Sequence, residues 1–284
     1  MTLRDTLLNK IYEEMQKDKN VFFITADFGS PIVDKIKKLP NFINVGIAEQ
    51  NLINISVGLA LEGFKVYTYV IAPFLLRAFE QIRINIALMS EFKNLNINII
   101  GVGSGISYNM SGATHHSLED LGVFNTLPNL EIFTPSENYL VNKYFKNTLQ
   151  SYPKYIRLDA KVLPDIETKY SKNGFRVLKD GDKFVISYGY MLHKLLKFDI
   201  GIIDIYNTNF NQKKLKEILK NKEVIVFEES FSPVIGELIE KTIKRYVKKL
   251  YFNKKYVFKN KDREEVYKEY GFDDENLRRI IENS

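Results

Sequence analysis

Short apolar runs alternate with helix-period segments along this chain, and that alternation confines it to an α/β architecture. Leu7, Leu8, Ile11, Tyr12 and Met15 repeat at helical spacing within Leu3–Lys17, and Val21 to Ala26 is a compact apolar strand. The spacing then predicts a helix from Pro31 to Leu39, strands over Phe42–Gly46 and Phe64–Ile71, and an amphipathic helix over Leu75–Met89. Strands follow at Leu95–Gly103, Leu130–Thr134 and Tyr155–Leu158, with Ser136 placed to cap a helix reaching about Leu149. Residues 164–173 are polar and lack periodicity, so a domain boundary is expected there, separating residues 1–163 from 174–284. Beyond it the pattern restarts with strands Phe184–Tyr188, Gly201–Ile205, Val224–Phe227 and about Leu250–Phe258. Helices are expected at Asn211–Asn221, Val234–Val247 and after a cap at Asp273. The expected fold is two α/β domains, each a mostly parallel sheet flanked by helices.

Composition narrows the chemistry. The 284 residues include no cysteine, which removes disulfides, thiolate metal sites and thiol nucleophiles. Together with the absence of a long apolar run, this leads to the expectation of a soluble, cytoplasmic chain. The net charge of +6 comes largely from lysines scattered over the C-terminal third, the pattern of solvated helix faces. Neither a nucleic-acid-binding module nor a membrane anchor is expected.

Few groups remain that could carry a reaction. Val45-Gly46-Ile47-Ala48-Glu49-Gln50-Asn51 runs from a strand into an apolar helix and sets Glu49 at its start, where the dipole favours an acid. Glu49 there is either a helix cap or a carboxylate offered to something bound at the strand's end. His115 and His116 lie in a loop after a sheet strand, where open α/β folds place ligands. Adjacent loop histidines usually point apart, and no carboxylate or cysteine completes a metal site at familiar spacing. His193 is expected as a partly buried helix residue. Gly101-Val102-Gly103-Ser104-Gly105 lacks the Walker lysine and the dinucleotide spacing, and Asp180-Gly181-Asp182 reads as a hairpin turn. One buried-helix carboxylate and a histidine loop, with no complete triad or metal cage, suggest a borrowed cofactor.

Several stretches together resemble the transketolase family. They are Val45 to Asn51, Pro73-Phe74-Leu75, Phe79-Glu80-Gln81-Ile82, the loop Gly112 to Asp120, and Pro128-Asn129-Leu130 with Thr134-Pro135-Ser136-Glu137. They are similar to its pyrimidine-binding domain, above all in split, two-chain transketolases, with 1-deoxyxylulose-phosphate synthases as nearer cousins than full-length transketolases. Phe184 to Tyr190 and Glu228-Glu229 are similar to the family's C-terminal domain. The resemblance implies thiamine diphosphate chemistry. A carboxyl group hydrogen-bonded to the aminopyrimidine nitrogen drives the tautomer shift that activates the thiazolium carbon, and Glu49 matches that glutamate. In that role a buried setting is expected to raise its pKa. Phe74 matches the ring that stacks on the aminopyrimidine, with Gln50 beside the cofactor, and His115 matches the histidine that reads the donor sugar's oxygen, with His116 next to it.

The departures shape the expectation further. The Gly-Asp-Gly and downstream Asn that hold diphosphate and metal in the family have no counterpart here. A partner subunit carrying that pyrophosphate-binding domain, with Mg2+ or Ca2+, is therefore expected, in an α2β2 heterotetramer acting on small sugars. Ser111 replaces an acid four residues before the loop histidine, and Arg157 matches one family arginine while Ala160 replaces the next, a phosphate ligand. Arg77 aligns with a phosphate-contacting arginine. Substrate contacts are thus expected from His115, His116, Arg77, Ser111 and Arg157, with an unusual donor or acceptor, such as a nucleotide-linked or otherwise modified sugar. The alternatives are the β subunit of the decarboxylating component of a 2-oxo-acid dehydrogenase, which shares the glutamate but not Thr114-His115-His116, and a non-catalytic interaction subunit.

Overall fold

The structure is a computed structural model that describes residues 1–166, 170–258 and 260–283. Residues 167–169 of the expected 164–173 linker lie outside the described residues.

The first sheet comprises β1 (Val21–Thr25), β2 (Phe42–Asn44), β3 (Lys65–Ile71), β4 (Ile97–Val102), β5 (Glu131–Phe133) and β6 (Lys154–Leu158), in the order β2-β1-β3-β4-β6-β5. Every neighbouring pair is parallel. Residues of β4 and β6 are buried throughout, as strands covered on both faces require. Its helices are α1 (Leu3–Lys17), α2 (Val33–Ile36), α3 (Glu49–Leu61), α4 (Phe79–Gln81), α5 (Asp120–Phe124) and α6 (Asn138–Thr148). In α1, Thr2 accepts a hydrogen bond from the Asp5 N–H; of the face that the spacing predicted, Leu7, Leu8, Ile11 and Met15 are buried and Tyr12 is half-buried, and Leu3 joins them.

The second sheet has β7 (Phe175–Lys179), β8 (Lys183–Ser187), β9 (Gly201–Ile205), β10 (Glu223–Glu228) and β11 (Lys248–Tyr251), in the order β11-β10-β8-β9-β7. Its pairs are parallel except β7, which is antiparallel to β9. The helices here are α7 (Gly189–Leu195), α8 (Gln212–Ile218), α9 (Val234–Ile243), α10 (Arg263–Glu269) and α11 (Asp274–Glu282). The α/β class with two mostly parallel, helix-flanked sheets is thus what the alternation predicted. An apolar cluster continues from Leu52, Ile86 and Tyr155 of the first half into Ile186, Ile203 and Val226 of the second, so the sheets share a packed seam.

Four local expectations are corrected, and two elements were not foreseen; the first correction is that the strand expected at about Leu250–Phe258 is Lys248–Tyr251 and ends seven residues earlier. The stretch Leu75–Met89 is not one amphipathic α-helix. A 3-10 turn over Ala72–Ala78 leads through α4 into a π-helical stretch, Ile82–Leu88, where three β-branched isoleucines crowd an ordinary α turn. Asp180-Gly181-Asp182 is no hairpin, because β9 lies between the strands it joins. Strand β7 and helix α10 were not foreseen. Ser136 does not cap α6: the N-cap is Glu137, with no side-chain cap bond, and the Ser136 hydroxyl donates instead to Asp204 Oδ2 of β9 at 2.5 Å. That bond joins Arg176, which is paired with both Glu137 and Asp204, in a buried ionic cluster across the seam.

Candidate active site

Three chain segments leaving the carboxyl ends of β2, β3 and β4 build the site, where ligands bind in open parallel sheets. After β2, Gly46 takes φ +74°, a conformation that favours glycine, and its N–H is held by the Asn44 side chain. The chain then enters α3 without a side-chain cap, and Glu49 is its first residue, 2% exposed. Glu49 is not a lone buried acid, because Arg77 Nη1 stands 2.7 Å from its Oε2. The Arg77 side chain is itself 57% exposed.

The segment after β3 supplies both Arg77 and Phe74. In a 3-10 turn, side chains three apart eclipse, so Ala72–Ala78 sets Phe74 and Arg77 on one side. Gln50, exposed, donates from Nε2 to the Arg77 carbonyl at 3.3 Å and ties that turn to the start of α3. The same turn packs against a second 3-10 turn, Ala113–His115, in the loop after β4.

In that loop Gly112, at φ +77°, separates two 3-10 turns and His115 closes the second. Phe74 and His115 meet edge to face, with centroids 5.4 Å apart, and the Tyr108 ring flanks His115 on another side at 6.4 Å. Thr114 Oγ1 lies 3.0 Å from His115 Nδ1. His116 is the more enclosed of the two histidines. It is buried, its Nε2 has no hydrogen-bond partner among the described residues, and burial pushes its pKa below the ordinary histidine value. Ser111 is exposed on the neighbouring turn.

Arg157 stands apart from this group. It is 2% exposed, with Nε on Asp120 Oδ2 at 2.8 Å and Nη2 on the Ser117 carbonyl at 2.9 Å, so it holds the base of the histidine loop from inside the core. Tyr155 donates to the same carboxylate oxygen. The structure therefore gathers Glu49, Gln50, Phe74, Arg77 and His115 at one end of the sheet, with Ser111 and His116 in the same loop, and gives Arg157 a supporting position. Tyr108 is a site neighbour that sequence reasoning missed; its only signal was an aromatic residue seven positions before the histidine. His193 donates from Nε2 to the Ser136 carbonyl at the seam.

Residues 1–164 match the family described as transketolase, pyrimidine binding domain. The chain belongs to this family. Among its relatives is an apulose-4-phosphate transketolase subunit of Actinobacillus succinogenes, 33% identical over 65% of this chain and 60% of that one. The 6-deoxy-6-sulfo-D-fructose transketolase subunit SqwH of Clostridium sp. strain MSTE9 is 27% identical over 68% of this chain and 62% of its own length. The chain thus spans about six-tenths of these two curated relatives. Among solved structures, a split-gene transketolase described as an inactive β4 tetramer matches with TM-score 0.84 at 22% identity, covering 100% of this chain and 98% of that one. The transketolase of Campylobacter jejuni matches with TM-score 0.83 at 19% identity over 47% of its length. These structural matches show that the transketolase fold extends over both sheets, beyond the family match to the first.

The residues suit the pyrimidine half of the cofactor this family implies: a buried carboxylate at a helix start, and, on the turn whose Arg77 reaches it, a half-buried flat ring set edge to face against His115. Among the described residues no group of three or more His, Asp or Glu is placed to hold a metal ion, and no helix is long and apolar enough to cross a membrane.

Proposed function

We propose that this chain is the pyrimidine-binding subunit of a two-chain, thiamine diphosphate-dependent transketolase that moves a ketol unit between sugars or modified sugars. The observation that carries the reading is that one 3-10 turn brings Arg77 to Glu49 and Phe74 to His115 at the carboxyl end of a parallel sheet. Glu49 would hold the aminopyrimidine ring nitrogen, and Phe74 would offer the ring a flat apolar face, with Gln50 fixing the turn between them. The cofactor, when bound, supplies a carbanion equivalent for cleaving and re-forming the bond beside a ketone. His115, held at Nδ1 by Thr114, directs its other nitrogen to a donor oxygen and excludes water from that side together with Tyr108. Arg77 keeps exposed donors beside the site, available to an anionic substrate group.

The diphosphate and its Mg2+ or Ca2+ are assigned to a partner subunit in an α2β2 assembly. Ile47, 76% exposed two residues before Glu49, is an apolar side chain at the mouth of the site, which favours a second chain covering it. The two domains are proposed as 1–163 and 174–284, and the setting as the cytoplasm. Ser111 and Ala160, together with relatives named for apulose 4-phosphate and a sulfosugar, support a donor or acceptor outside the ordinary pentose phosphates. The test is reconstitution with a pyrophosphate-binding subunit and a panel of ketose donors. Ketol transfer that needs both chains and thiamine diphosphate is expected. Decarboxylation of pyruvate without ketol transfer would overturn the reading in favour of a 2-oxo-acid dehydrogenase component.

A further inference from the structure

We propose that the second sheet's half of the chain sets the position of the histidine loop, with Arg263 of α10 as a positioning residue acting through Glu229. The catalytic consequence rests on the function proposed above, whereas the structural relation does not.

The loop between β4 and α5 has little structure of its own, only two three-residue 3-10 turns. Its neck is a single antiparallel bridge in which the Gly105 N–H donates to the Ser117 carbonyl at 3.1 Å and the Ser117 N–H to that of Gly105 at 2.7 Å. Residues of the second half grip that neck. Glu229, just past β10, accepts the Ile106 N–H on Oε1 at 3.0 Å. Gly105 sits so close to this carboxylate that a Cβ there would fall 2.2 Å from its Cδ. Beyond the neck, the Leu118 carbonyl accepts from the Phe231 N–H and the Ser230 hydroxyl. On the loop itself, Asn109 Nδ2 donates to the Lys261 carbonyl at 2.7 Å.

Glu229 is placed in turn by Arg263. Its Nη2 contacts both Glu229 oxygens, at 3.0 and 2.9 Å, while its Nη1 holds Asp159 Oδ2 at 2.7 Å. The guanidinium lies 3.6 Å from the Tyr190 ring centroid. Arg263, Glu229 and Asp159 are all buried. A planar fork between two buried carboxylates fixes direction as well as charge, which a lysine ammonium cannot reproduce. The fork joins the end of β6, the end of β10 and the start of α10, and through Glu229 it fixes the neck of the loop that carries His115 against Phe74.

The test is Arg263→Lys in the full chain, alone and with its partner subunit, reading diethyl pyrocarbonate labelling of each histidine by peptide mass spectrometry. His116 is buried in the gripped loop, and amide exchange of the β1 peptide Val21–Thr25 serves as the control for general loosening. Loosening the neck raises His116 labelling about tenfold through local opening, with exchange in β1 unchanged. In the assembled enzyme the donor kcat/KM falls roughly ten- to a hundredfold from misplacement, mostly through KM. If Arg263→Lys does not fold, Asn109→Ala, which removes one tether, carries the same readout with a rise of about threefold. Unchanged His116 labelling overturns the proposal, and so does a parallel rise in β1 exchange, which would show general loosening. A selective His116 rise in a pair that never transfers a ketol unit keeps the positioning and sinks the functional reading alone.

Discussion

Replacing Glu49 with glutamine separates catalysis from stability. Glutamine keeps the size of the side chain at a site only 2% exposed, so packing is retained. The ion pair it breaks has a partner that is 57% exposed, which screens it to about 0.2–1 kcal/mol. Losing the negative charge from the first turn of α3 removes a further 0.3–1 kcal/mol or so of dipole interaction. Together these predict a loss of at most about 2 kcal/mol, small enough to leave a folded and assembled subunit. A group that shares a proton in the reaction contributes far more, about 10²- to 10⁴-fold in rate, or roughly 3–5 kcal/mol. The assay is ketol transfer by the reconstituted pair, read beside urea denaturation and sizing of the assembly. Turnover reduced at least a hundredfold with assembly intact is expected. Wild-type turnover in an assembled Glu49→Gln enzyme refutes the assignment of the acid, whatever the stability does.

Two further predictions concern the scaffold. Burial of Lys154, which donates to the Gln150 and Tyr152 carbonyls, pushes its pKa down from 10.5 to about 7. Its folded value is lowered, so between pH 7 and 10.5 the unfolded chain binds the extra proton and stability should rise with pH. Urea titrations should therefore show wild type gaining roughly 3 kcal/mol on Lys154→Met between pH 7 and 9.5, and a constant gap would refute the titration. Gly46 and Gly105 both have positive φ, at +74° and +58°, but a Cβ meets nothing within 4 Å at the first and the Glu229 carboxylate at the second. In thermal unfolding Gly46→Ala should cost about 1 kcal/mol and Gly105→Ala at least about 2 more, and equal costs would contradict the packing at the neck.

What was legible in the sequence was whatever local periodicity encodes. Leu3–Lys17 and Gly201–Ile205 have the ends that their apolar spacing gave them, because each element's burial follows its own pattern. What was missed depends on distant partners. Arg176 disguised β7, since a charge in a strand becomes tolerable only once Glu137 and Asp204 arrive to pair with it. Ser136 looked like a helix cap for the same reason, its true partner being 68 residues away. Helix α10 was different: Asp262 followed by Glu265 is a capping box, and that signal was available.

The same distinction runs through the site. Glu49, Phe74 and His115 could be singled out because a strand-to-helix turn, a proline-led turn and a histidine loop each leave a local mark. Their relation could not, because it depends on a 3-10 turn over Ala72–Ala78, where periodicity suggested an α-helix beginning only at Leu75 and left Phe74 outside it. In an α-helix Phe74 and Arg77 would be offset by about 60° around the axis, whereas in the 3-10 turn they eclipse, one against His115 and the other on Glu49. The two arginines divide in the same way. Arg157 is enclosed with Asp120 and braces the loop, while Arg77 remains more than half exposed at the site. A screened ion pair is cheap to rearrange and a buried one is not, so of the two only Arg77 can shift its guanidinium toward an incoming anion without dismantling the core.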